Sequence, residues 1–170
     1  SLATDKTIEV AFESAQTHVI YGKLGVDRSK PKQALAVALA NDMLGGGDFN
    51  ALLMQELREK RGLTYGAYSQ IIPMAARGPF MVSFSTRAEQ ADEAIQVAKA
   101  TVMGFLQQPL NQQHFEEVKQ QFVHSFHTSL AGNSNKLSYL AMMGFYQLPA
   151  DYLQEYQKWL DQITLEEVQN

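Results

Sequence analysis

Cysteine is absent from the 170-residue sequence, which excludes a disulfide frame, a thiol nucleophile and any cysteine-based zinc site. No apolar run approaches the roughly 20 residues needed to cross a bilayer, so membrane insertion is not expected. Basic residues are scattered, and 14 of them against 18 acidic ones leave a net charge of −4. That balance argues against nucleic acid or an anionic membrane as partner. Only four histidines are available for metal or base chemistry, and neither HxxEH nor HExxH occurs. What is present is ordinary globular composition, 45% hydrophobic and 19% charged. The length suits one hydrophobic core, so a single domain over residues 1–170 is expected. Without cysteine the redox compartment stays open between cytoplasm and periplasm.

Alternating apolar residues predict strands over residues 7–12 and 17–24, the second carrying Val19 and Tyr21 against Ile20 and Leu24. Ser29 and Pro31 suit a helix start, and residues 34–40 are apolar on every side, so that helix should be covered by neighbours. Gly45, Gly46 and Gly47 end it. Asp48 can cap a second helix with the stripe Leu53, Met54 and Leu57, which runs out in Arg58, Lys60 and Arg61 before Gly62. Residues 63–72 and 80–86 read as a strand pair in which Phe80, Val82 and Phe84 share a face. Thr86 and Glu89 form a capping-box pattern ahead of a long helix marked by Ala91, Ala94, Ala98, Val102 and Phe105. A further helix spans 111–130, and others follow to Leu160. Strands first and helices later imply an α+β fold, a mainly antiparallel sheet with helices packed on one face. Thr164 and Glu167 open one more capping box with only three residues after it, so the chain is expected to be a fragment cut near its C-terminal helix.

His124 and His127 lie three apart on a helix, but no carboxylate occupies the neighbouring turn on that face, and solvated or locally bonded histidines are expected there. The glycines 45–47 lack the Lys and Ser/Thr of a phosphate loop; a flexible connection that lets another chain approach the backbone is the remaining role. Arg58 falls in a last helical turn and Tyr65 at the start of the next strand, with Gly62 reversing the chain between them. Both are donors at neutral pH and together could hold a peptide carbonyl or the oxyanion formed from it. Spacing alone favours a surface Arg beside a half-buried Tyr.

The string LGGGDFNALLMQELREKRGLTYGAYS, followed by GPFMVSFSTR, resembles the C-terminal-half, non-zinc domain of the pitrilysin, insulinase and mitochondrial processing peptidase zinc proteases. The later SNKLSYLAMMGFYQLPADYL is similar to the short bacterial members, in which two similar halves make one protein. The resemblance implies a pitrilysin-type metallopeptidase half-domain that holds no metal itself. Zinc is expected in a partner half bearing HxxEH, in the same chain or another subunit. It further implies that Arg58 and Tyr65 reach across a cavity between halves to a peptide substrate at the scissile bond. Gly45, Gly46 and Gly47 match the position of a glycine-rich substrate loop. Alone, the domain should be inactive. The alternative is a scaffold or peptide-binding subunit that has lost proteolysis. The resemblance to short bacterial members also suggests the bacterial periplasm or cell envelope.

Overall fold

The computed structural model describes residues 8–10, 14–46 and 49–169. Three strands, β1 (Gln16–Leu24), β2 (Ala67–Ile71) and β3 (Pro79–Arg87), form an antiparallel sheet in the order β1-β3-β2. The register puts Val19 opposite Phe84 on one side of the central strand and Ala67 opposite Phe84 on the other. Side chains of one pleat therefore stand in a row. Of the strand expected over residues 7–12, residues 7, 11 and 12 lie outside the described residues, and residues 8–10 carry no ladder.

One face of the sheet is covered. Val82, Phe84 and Thr86 are buried, joined by Ala67 and Ser69 of β2 and flanked by Val19 and Tyr21 of β1. Helix α2 (Ala91–Gln107) lays Ala94 and Ala98 on this face, both fully buried. The opposite pleat stays open, with Ile20 and Tyr68 exposed. This is the α+β arrangement that the sequence implies.

Helix α1 (Pro31–Gly45) sits between two cores, which explains why its sequence is apolar on every side. Leu35, Leu39 and Met43 pack with Phe115, Val118 and Phe126 of α3 (Gln112–Ala131) and Leu160 of α5 (Tyr152–Gln162). Leu44 instead joins the cluster beneath the sheet. Helix α4 (Asn133–Phe145) follows α3, and α6 (Leu165–Gln169) closes the described chain. The Thr164 and Glu167 capping box forms: Glu167 accepts from the Thr164 N–H at 3.1 Å, and Thr164 Oγ1 accepts from the Glu167 N–H at 3.3 Å. Lys32 Nζ donates to Glu167, fastening α6 to the start of α1.

The edge of β2 is closed by α1. Asn41 Nδ2 donates to the Ser69 carbonyl at 3.2 Å, and Ser69 Oγ donates back to the Asn41 carbonyl at 3.2 Å. The Ala67 N–H meets Met54 Sδ at 3.4 Å. Backbone groups that would otherwise template another strand are thereby occupied.

Candidate functional site

The segment between α1 and β2 is fixed from below. Leu53, Met54 and Leu57 are buried against the sheet cluster, as the stripe implies. Their helix is wider than expected, however: Met54–Glu59 is π-helical, with the Lys60 N–H bonded to the Gln55 carbonyl at 2.9 Å. Such wide turns are rare and concentrate at functional sites. Arg58 lies in its last turn. The proposed cap, Asp48, lies outside the described residues.

Gly62 reverses the chain with φ 61°, a left-handed conformation that glycine adopts without strain. Leu63 then turns back into the core, its N–H bonded to the Leu57 carbonyl at 2.8 Å. The following residues do not extend the strand, and β2 begins only at Ala67. Side chains of β3 and of the loop hold them instead. Thr86 Oγ1 donates to the Leu63 carbonyl at 2.6 Å. Thr64 Oγ1 lies 2.6 Å from the Ser85 carbonyl and 2.8 Å from that of Gly66, and accepts from the Gly66 N–H at 3.2 Å. Tyr65 sits between the tethered Thr64 and Gly66 and is 88% exposed. It is neither on a strand nor half-buried.

Thr86 thus has a different task from the one its sequence pattern suggests. Its hydroxyl donates to the Tyr65 loop, and it does not cap α2 because that helix starts only at Ala91, after a short 3-10 turn, Ala88–Gln90, with Gln90 in the cap position.

Arg58 keeps a side-chain exposure of 37%. Its guanidinium lies over the Phe49 ring, 5.0 Å from the centroid, and its Nε is 3.5 Å from Glu59. The guanidinium carbon lies over the ring and the carboxylate is nearest Nε, so the ion pair does not run through the terminal amino groups that make the Arg fork. The neighbouring cations are engaged elsewhere. Lys60 Nζ lies 2.5 Å and Arg61 2.6 Å from the Glu56 carboxylate, and Arg61 also donates to the Glu56 carbonyl at 2.8 Å. Hydrogen bonds from Lys60 and then Arg61 hold the Glu56 carboxyl below the usual glutamate range.

The glycine run divides. Gly45 is the last residue of α1 and is buried; a Cβ there would lie 2.6 Å from the Ser69 nitrogen and 2.7 Å from both Ser69 Oγ and Leu53 Cδ1. The close approach it permits is that of β2 from the same chain, not a flexible connection. Gly46 is exposed, and Gly47 lies outside the described residues. An open concavity of about 430 Å³ lies between this end of α1 and the bare sheet face, bordered by Asn41, Gly46, Ile20 and Tyr68. Arg58 and Tyr65 are not in its lining.

Among the described residues no group of three or more His, Asp or Glu side chains could hold a metal. His124 and His127 are exposed on α3, and His18 Nδ1 is hydrogen-bonded to Ser85 Oγ at 2.7 Å. These residues do not fit a zinc site.

Against this geometry, residues 2–122 match the sequence pattern described as the Peptidase M16 inactive domain. The chain belongs to that family. This M16 inactive domain is 40% identical to the peptidase M16 inactive domain of Pseudomonas fluorescens and superimposes on it with a TM-score of 0.85, covering 93% of this chain and 37% of that one. It is similar to an uncharacterized zinc protease of Streptomyces coelicolor, 36% identical over 90 residues, which are 53% of this chain and 19% of the relative. An uncharacterized zinc protease of Bacillus subtilis is 25% identical over 126 residues, 74% of this chain and 30% of the relative. The chain therefore spans less than a third of either curated relative. The pitrilysin-type, non-zinc half-domain suggested by the motif string is what these findings support.

Phe49, and the anchoring role of Thr86, are not evident from the sequence. Thr86 continues the 80, 82, 84 alternation of β3, which placed it inward and was a usable signal. Phe49 gave none, because a lone aromatic after a glycine run has no periodicity to betray its partner.

Proposed function

We propose that this chain is the substrate-binding, non-catalytic half of a zinc metalloendopeptidase, and that Arg58 and Tyr65 stabilise the transition state of peptide-bond hydrolysis. Its partner is a half bearing HxxEH, in the same chain or another subunit, which supplies the zinc and the activated water. Arg58 offers its fork, and Tyr65 its phenol, to the scissile carbonyl. As that carbonyl is attacked its oxygen gains charge, and both hydrogen bonds strengthen just where the barrier lies.

The observation that carries this reading is an 88% exposed tyrosine, seven residues after Arg58, whose neighbours on either side, Thr64 and Gly66, are hydrogen-bonded in place. An exposed aromatic on a loop held at both flanks is preorganised without being used by the core. Gly46, exposed at the head of the segment that leads to Phe49, is the part of the glycine run open to a substrate strand.

The test is turnover of a peptide by the two halves assembled with zinc. Arg58→Ala and Tyr65→Phe should each lower kcat by about a hundredfold, the usual effect of removing one oxyanion donor. Full turnover in both variants would remove the assigned roles, whereas no turnover by the assembled wild type would favour a scaffold or peptide-binding subunit.

A further inference from the structure

Among the described residues the Arg58 guanidinium carbon lies over an aromatic ring, and that ring comes from outside the Arg58 helix. Phe49 lies 61% exposed, five residues before the first π-helical residue, with Arg58 at 5.0 Å from its centroid. A phenylalanine that exposed contributes little to the core, so its position is better explained by the cation it carries. Glu59 constrains the same guanidinium at Nε, 3.5 Å away and at its edge. Ring and carboxylate act on different parts of the group, restricting its rotation while leaving the terminal nitrogens unengaged by either. An unsupported arginine keeps rotamer freedom that substrate binding would otherwise have to remove.

We infer that Phe49 is a positioning residue, a platform that holds the Arg58 fork in place for the oxyanion. The inference rests on the proposed role of Arg58. It also links the chain that follows α1 to the reaction: α1 ends at Gly45, and the ring of Phe49, four residues on, lies beneath the arginine. Tyr or Trp in its place presents an equal or stronger π face, whereas Leu fills similar space without one.

The test uses the assembled protease and a peptide that it cleaves. Phe49→Leu should lower kcat about two- to fivefold, the range for an exposed cation–π contact, with KM changed by less than that. Phe49→Tyr and Phe49→Trp should restore kcat. In an Arg58→Ala background, Phe49→Leu should have no further effect on the residual turnover, since the group it positions is gone. The inference is overturned by unchanged kcat in Phe49→Leu, by failure of both aromatic variants to exceed it, or by an undiminished Phe49→Leu effect in Arg58→Ala. Wild-type turnover in Arg58→Ala would instead overturn the functional reading itself, and the platform with it.

Discussion

Replacing Thr86 with Val removes one hydroxyl from a buried site and keeps the shape of the side chain. Thr86 is 3% exposed, and its Oγ1 donates to the carbonyl of Leu63, itself 3% exposed, at 2.6 Å. The variant leaves that carbonyl without this donor in a place that water reaches poorly. Orphaning a buried acceptor costs about 1–3 kcal/mol. For a domain of this length that lowers Tm by roughly 2–12 °C. Thr86→Ser keeps the hydroxyl and loses only a methyl, so it should recover most of the difference. Urea unfolding of the three proteins reads the stabilities directly, and equal m-values would show that the unfolded states are comparable. The same bond anchors one side of the Tyr65 loop. In the assembled protease Thr86→Val should therefore lower kcat, by no more than the ~100-fold expected for losing the Tyr65 donor outright. Stability of Thr86→Val within about 0.5 kcal/mol of wild type, or Thr86→Ser destabilised as much as Thr86→Val, would refute the anchoring argument.

Gly45→Ala should destabilise by about 1–3 kcal/mol, because the new methyl would overlap the Ser69 backbone and the Leu53 side chain; thermal unfolding checks this, and unchanged stability would mean that α1 shifts freely from β2. Glu56 should make stability depend on acid. Its folded carboxyl titrates below its ordinary value of 4.5, so its contribution is fully present above that pH and is lost as pH falls through the depressed folded value. With partners as exposed as Lys60 and Arg61 the effect should stay under about 1 kcal/mol, and Glu56→Gln should flatten the pH profile of unfolding below 4.5.

Much of the scaffold is legible in the sequence because burial imposes a period. Val19 and Tyr21 alternate on β1, and Phe80, Val82 and Phe84 on β3, since each strand has one covered face. Ala94 and Ala98 recur at helical spacing because α2 lies on that face. Residues 34–40 read as buried all round because α1 does lie between two clusters. The stripe Leu53, Met54 and Leu57 announces a helix but is too short to separate a 3.6-residue turn from a wider one.

The site was legible only as a pair of residues around Gly62. Residues 63–66 have strand-like composition, yet hydroxyls from Thr64 and Thr86 satisfy the loop in place of a ladder, which no propensity encodes. The Thr86 and Glu89 spacing imitates a helix cap, but α2 begins only at Ala91, and the Thr86 hydroxyl donates to Leu63, far away in sequence. Glycines at 45–47 look like a flexible loop because sequence cannot register that β2 passes within contact of Gly45. Phe49 beneath Arg58 is likewise a matter of tertiary placement.

The central claim is that Arg58 acts on the transition state rather than on substrate binding in general. It is tested most directly in the assembled protease by comparing Arg58→Ala with wild type for two ligands: a peptide, and its analogue with a tetrahedral phosphinate in place of the scissile amide. The account predicts that the variant loses about a hundredfold in affinity for the analogue while its affinity for the peptide changes by only a few fold. Equal losses for both ligands, or none for either, would contradict it.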